Sequence, residues 1–254
     1  MKNVFHIASR EFRSYFISPI GWVVLTFFLG IMGYMFSAAV AEFVRRSTTL
    51  WQMPHLVGNL NTMIMQPVLG NMAVIFLLVF IPAMTMRLIA EEKRSGTIEL
   101  LLTSPLSATT IILGKYLASL ALFALILLLS LLYPYILWKY GTLDLLQVAS
   151  GYLGVFLLGA AQLSMGLFLS SLTRSQVIAF ISTCGASLFF WIVSWISINP
   201  DSVAGKIVNY VSMIEHLGNF LRGLIDTRDI IYFLSFIVLS LFLAHRSLRS
   251  YAWR

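Results

Sequence analysis

The chain has 254 residues, of which 59% are apolar and 11% charged, with a formal net charge of +7 and a mean hydropathy of +0.89. Soluble domains run at about 45–50% apolar and about 25% charged, so this composition excludes a globular soluble domain and points to a membrane protein. The single cysteine, Cys184, excludes an intrachain disulfide and a multi-cysteine metal site, and reads as a small packing residue in an apolar run.

Residues 1–18 are not a span. Phe5, Ala8, Phe12, Tyr15 and Phe16 recur at helical spacing, while Lys2, His6, Arg10 and Arg13 fall largely on the other side. That pattern predicts an amphipathic helix in the membrane interface, with its bases toward anionic headgroups. Pro19 marks a break before the first long apolar run. Ala39-Val40-Ala41 resembles a leader cleavage site, but the stretch from Ile20 to Val40 exceeds the roughly 7–15 residues of a signal core, so it reads as a span.

Six apolar runs follow, near 20–42, 68–88, 109–138, 146–171, 177–198 and 229–245. Each is close to the length of about 20 residues that a hydrocarbon core of about 30 Å demands. The expected fold is therefore all-α: a polytopic membrane protein with six transmembrane helices and an N-terminal interfacial helix. The whole of 1–254 reads as one transmembrane domain.

Lys and Arg set the orientation. Lys2, Arg10, Arg13, Arg87, Lys93, Arg94, Lys115, Arg174, Arg246, Arg249 and Arg254 fall on the side of the termini; Arg45, Arg46, Lys139, Lys206, Arg222 and Arg228 fall on the other. The positive-inside rule puts the larger group, and both termini, in the cytoplasm. The acids on the outer side balance its bases, so the whole net charge of +7 is cytoplasmic. That distribution assigns the basic character to membrane orientation and not to nucleic acid.

The fourth run carries small residues four apart: Ser150/Gly154, Ala160/Ser164 and Gly166/Ser170. Such pairs let helices approach closely in lipid. Gln162 lies mid-span, facing either a partner helix or a substrate path. No Asp or Glu falls in the middle of a run; Glu42 and Asp229 stand at ends. Ion-driven carriers usually hold ionisable groups at membrane depth, so an internally energised carrier is disfavoured. No phosphate-binding Gly-x-x-x-x-Gly-Lys-Ser/Thr loop occurs, and the four histidines lack metal-ligand spacing.

The informative polar segment follows the second run: Glu91-Glu92-Lys93-Arg94-Ser95-Gly96-Thr97-Ile98-Glu99-Leu100-Leu101-Leu102-Thr103-Ser104-Pro105. Ser95 or Thr97 can cap a short helix over 97–104 with Ile98, Leu101 and Leu102 on its apolar face, and Pro105 stops it. Such a helix either lies on the membrane surface or docks in a groove of a cytoplasmic partner. The residues alone leave both readings open.

This run resembles the cytoplasmic coupling segment of ABC-2 type transporter permeases. The N-terminal amphipathic helix, six spans and cytoplasmic termini match that family along the full chain. The resemblance implies that the segment docks on separate ABC ATPase subunits, with Glu91, Glu92 and Glu99 pairing with ATPase bases. A second segment, Phe220-Leu221-Arg222-Gly223-Leu224-Ile225-Asp226-Thr227-Arg228-Asp229-Ile230-Ile231-Tyr232-Phe233, resembles the stretch before the last span in the branch of gliding-motility-associated and nitrous-oxide-reductase-maturation permeases. It is expected to lie on the outer face, where 199–228 forms short helices, as either a partly re-entrant cap or a surface loop. The implied protein is a non-catalytic permease subunit in the bacterial inner membrane. It binds no cofactor itself; ATP and magnesium belong to the partner ATPase. A second permease copy or a related permease completes a dimer, and an extracytoplasmic accessory protein is a further partner the family admits. The rival readings are an ion-coupled secondary carrier and a non-transporting scaffold.

Overall fold

The computed structural model describes residues 2–17, 19–49, 59–98, 107–193 and 202–252. These form helices joined by short turns, with no strand among the described residues. The N-terminal helix, Lys2–Ile17, packs against the first turns of the helix that begins at Ala108. Five helices are long and apolar enough to cross a membrane: Gly21–Thr49, Asn61–Ser95, Ala108–Tyr140, Leu145–Leu172 and Thr227–Tyr251. The expected fifth span appears as the shorter apolar helix Gln176–Ile192; its continuation to 198 extends outside the described residues. These six are numbered below as spans in chain order.

The chain is thus a multi-pass membrane protein. Contacts between Glu11 and Lys115, and between Arg174 and Tyr251, put the N-terminal helix, the turn at 173–175 and the C-terminal helix end at one end of the bundle. The turn at 141–144 and the start of the second span share the opposite end.

The second span begins seven residues before the expected position 68. Its polar first turns are satisfied inside the protein: Asn61 Nδ2 donates to the Asp144 carbonyl at 3.0 Å, and Asn61 Oδ1 accepts from the Asp144 N–H at 3.0 Å. Gln66 Nε2 donates to the Leu221 carbonyl at 3.0 Å. Polar residues can enter a membrane helix when neighbouring protein meets their hydrogen bonds.

Prolines leave visible marks. Wide π-turns at Asn61–Met65 and Phe76–Phe80 stand immediately before the short helices that hold Pro67 and Pro82. A proline lacks its N–H and crowds the carbonyl four residues back, which a widened turn accommodates. In the third span Pro134 likewise cannot serve Ser130. The Ser130 carbonyl instead accepts from the Tyr152 hydroxyl at 3.0 Å.

The fourth span is the centre of the bundle. Its glycines are sites of close approach: a Cβ on Gly154 would lie 2.5 Å from Phe220, one on Gly159 2.1 Å from Phe123, and one on Gly166 2.3 Å from Thr85. Three other segments seat side chains in these notches. Gln162 faces partner helices: its Oε1 accepts from Ser187 Oγ at 2.9 Å, and its Nε2 lies 3.0 Å from Met213 Sδ. The Cys184 thiol donates to the Leu78 carbonyl at 3.4 Å, in keeping with a packing role.

Gly159→Leu is expected to destabilise the protein by about 3 kcal/mol, because Phe123 cannot withdraw from a filled core. Gly185→Ala, where a Cβ meets nothing within 4 Å, is expected to be neutral or to gain up to about 1 kcal/mol from helix propensity. Thermal unfolding of the purified chain in detergent measures both. Equal effects of the two substitutions would show that the fourth span is not close-packed at Gly159.

Candidate functional site

The second span ends in a break. Residues 86–89 leave the helical path, and a short helix, Ala90–Ser95, starts at Ile89 with φ −126°. The amides freed by the break find one acceptor: Ser170 Oγ of the fourth span takes the N–H groups of Ile89 at 3.2 Å and Ala90 at 3.1 Å. This meets the unsatisfied donors that every helix start presents.

Two neighbouring side chains of this short helix then reach opposite ways. Glu92 accepts from Lys115 Nζ at 2.7 Å, and the same ammonium contacts Glu11 Oε1 at 3.2 Å. The Lys115 side chain is 3% exposed and the two glutamates 17% and 19%. One buried lysine therefore joins the N-terminal helix, the end of the second span and the start of the third. Lys93, on the other side, donates to the Ser171 carbonyl and sits over the Tyr251 ring, 4.7 Å from its centre. Ser247 Oγ donates to the same Ser171 carbonyl at 3.0 Å, and Arg174 donates to the Tyr251 hydroxyl at 3.2 Å. Lys93 thus holds the ends of the fourth and sixth spans.

The charged motif read from sequence is accordingly divided. Glu92 and Lys93 are turned inward, and Ile98, 2% exposed, belongs to the chain's own core. The buried Lys115 takes the Glu92 carboxylate, and core packing takes Ile98. Glu91, Arg94, Ser95, Gly96 and Thr97 are exposed. Gly96 ends the short helix in the left-handed region at φ 74°, a conformation glycine adopts without steric cost, and the helix resumes at Thr97. Ser95 Oγ lies 2.9 Å from Thr97 Oγ1 across that turn. Glu99, Leu101, Leu102 and Pro105 lie outside the described residues.

The second motif builds the opposite half of the bundle. Short helices Val203–Val211 and Met213–Leu221 meet at the fully buried Ser212. Met213 contacts Gln162, which lies about 25 Å along the fourth span from Leu145. Phe220 and Leu221 lie against Gly154 and Gly151, nearer that end. The helix Met213–Leu221 therefore runs antiparallel to the fourth span inside the bundle. Its apolar residues Met213, Leu217 and Phe220 are buried there. Phe220 is fully buried, Arg222, Gly223 and Asp226 are exposed, and Asp226 Oδ1 caps the Arg228 N–H at 2.9 Å. Asp229, 3% exposed, accepts from Asn219 at 2.9 Å and lies 2.6 Å from His216 Nδ1. His216 also stacks on Tyr232 at 4.0 Å between ring centres.

Lys115, Glu11, Tyr251 and His216 were not singled out as site residues from sequence, and Ser170 was read only as a small packing residue. Lys115 carried one usable signal, a lone lysine just inside an apolar span, which is costly unless paired. Among the described residues no group of three His, Cys, Asp or Glu side chains is placed to hold a metal ion.

Removing Lys115 leaves the largely buried Glu92 without its cation and Glu11 with only the exposed Arg10, a change that costs about 3 kcal/mol. Lys115→Ala is expected to lower the melting temperature and to raise amide exchange across residues 2–17. Exchange there at the wild-type rate would show that the lysine does not hold the N-terminal helix.

No curated protein sequence matches the chain. The family described as ABC-2 family transporter protein matches residues 46–244, which covers the second to fifth spans, most of the sixth, both motifs and the short helices Val203–Val211 and Met213–Leu221. The chain belongs to the ABC-2 transporter family, whose members are membrane permease components of ABC transporters.

Proposed function

We propose that this chain is the non-catalytic, membrane-spanning subunit of an ATP-driven exporter or mechanotransmitter in a bacterial cytoplasmic membrane. Two copies, or one copy and a related permease, pair with two ABC ATPase chains that bind ATP and magnesium. The end bearing both termini faces the cytoplasm, and the stretch 95–104 receives the ATPase. The resemblance of residues 220–233 to the gliding-motility-associated and nitrous-oxide-reductase-maturation branch supports placement there.

One observation carries the coupling reading. The short helix Ala90–Ser95 is bonded on all sides: to the N-terminal helix and third span through Glu92, to the fourth span through Ser170, and to the fourth and sixth through Lys93. A force applied to the residues that follow it would move these elements as a unit, a rigid-body switch of the kind that drives transport cycles. A scaffold has no need of such a junction. The carrier reading has one observation in its favour, the buried His216–Asp229 pair, but Asn219 and the Tyr210 carbonyl already occupy that pair.

Co-expression with the ATPase tests the contact. Leu101→Asp is expected to weaken association by about 2 kcal/mol if Leu101 is an anchor, and Glu99→Lys is expected to weaken it in a salt-dependent way. Both variants should insert normally. Wild-type co-purification and stimulated ATP hydrolysis in both would end the coupling proposal.

Orientation has its own test. In a Cys184→Ala background, a cysteine at Ser95 is expected to resist membrane-impermeant maleimide in intact cells and to react after lysis. Labelling in intact cells would reverse the assigned sidedness.

A further inference from the structure

A cavity of about 290 Å³ opens beside the lysine junction, between the N-terminal helix and the first three spans. Its walls divide by chemistry. Glu11, Arg87 and Glu91 carry charge, while Val24, Ala83 and Leu122 form an apolar floor. Arg87 and Glu91 are both exposed, and neither forms an ion pair among the described residues. They stand four apart, a spacing that pairs opposite charges across one turn of a regular helix. Here Arg87 stands within the break at 86–89 and Glu91 in the helix beyond it, which uncouples that pairing.

The cavity therefore presents an uncommitted cation and an uncommitted anion beside an apolar wall. A complementary occupant carries an anion, a cation and an apolar body together. Around a multi-pass protein, the molecule of that pattern is a zwitterionic phospholipid. Glu91 offers a hydrogen-bond acceptor, which a primary ammonium uses and a quaternary one, held by charge alone, does not. We propose that this cavity is a binding site for an aminophospholipid of the phosphatidylethanolamine type. Arg87 takes the phosphate, Glu91 the ammonium, and the floor at Val24, Ala83 and Leu122 the start of an acyl chain. Arginine suits phosphate because its planar donors match two oxygens at once. Glu11 lines the cavity and also binds Lys115, so an occupant there braces the N-terminal helix against the first and second spans. The site stands on its own geometry and does not depend on the ATPase contact.

The test uses the purified full-length chain in detergent micelles doped with phosphatidylethanolamine, phosphatidylcholine or phosphatidylglycerol. Retained lipid is counted by native mass spectrometry, and melting is recorded with each lipid. Wild type is expected to retain phosphatidylethanolamine about tenfold better than the other two, the difference one charge-assisted hydrogen bond produces. Arg87→Ala is expected to lower that retention about tenfold, and Glu91→Gln to bring it down to the phosphatidylcholine level. Both side chains are exposed, so each variant should melt like wild type in phosphatidylcholine and lose only the rise that phosphatidylethanolamine gives. Ala83→Phe, which fills the floor, should reduce retention without touching either charge. Equal retention of the three lipids by wild type would overturn the proposal. So would unchanged phosphatidylethanolamine binding in Arg87→Ala and Glu91→Gln, or phosphatidylglycerol binding as strong as phosphatidylethanolamine, which would mark Arg87 as a plain anion site.

Discussion

A single ammonium group buried between two carboxylates governs one end of this bundle. Lys115 is 3% exposed, and a lysine so placed is tolerable only if its charge is met. Glu11 and Glu92 meet it from two other helices. The constraint runs both ways: the lysine needs both partners close, and neither carboxylate can leave without exposing a buried charge. The N-terminal helix, the break after the second span and the entry to the third are thereby tied at one point. Lys93, adjacent in sequence to Glu92, extends the tie to the fourth and sixth spans through Ser171 and Tyr251.

The same demand, that no polar group be stranded at membrane depth, explains the irregular parts of the helices. Two π-turns stand ahead of Pro67 and Pro82. The carbonyl that Pro134 leaves without its helical donor is taken by the Tyr152 hydroxyl. The amides freed at 89–90 go to Ser170, and the carbonyl of Leu221, where the helix Met213–Leu221 ends, goes to Gln66 and Gln147. The freed groups at Ser130, at 89–90 and at Leu221 are each answered by side chains from other spans, so local irregularity and tertiary contact specify each other there.

The fourth span makes these answers geometrically possible. Its glycines let Phe220, Phe123 and Thr85 seat against the helix backbone, and Gln162 joins the fifth span to the helix Met213–Leu221 in the interior. The short helix Met213–Leu221 can enter the bundle because its apolar residues Met213, Leu217 and Phe220 fill that groove and its polar residues His216 and Asn219 find Asp229. The two motifs thus occupy opposite ends of one organising span.

The sequence by itself determined the all-α membrane class, the approximate spans, the shared side of the termini and the charged turn, and the family. These follow from run length, periodicity, Lys/Arg asymmetry and a contiguous motif, all properties of neighbouring residues. The small-residue pattern of the fourth span also identified a packing surface, although not what fills it. The charged motif was legible as a unit, but its division into exposed Glu91 and Arg94 and buried Glu92 and Lys93 was not. That division depends on Lys115, Glu11, Ser171 and Tyr251, which stand far from the motif in sequence. The early start of the second span was hidden because Asn61 and Gln66 look too polar until Asp144 and Leu221 are brought to them. Whether Met213–Leu221 lies on the membrane or enters the bundle was likewise undecidable from its own amphipathic pattern. Only the tertiary structure decided it, because the energy of a polar or aromatic side chain in a membrane protein depends on which distant residue is there to receive it.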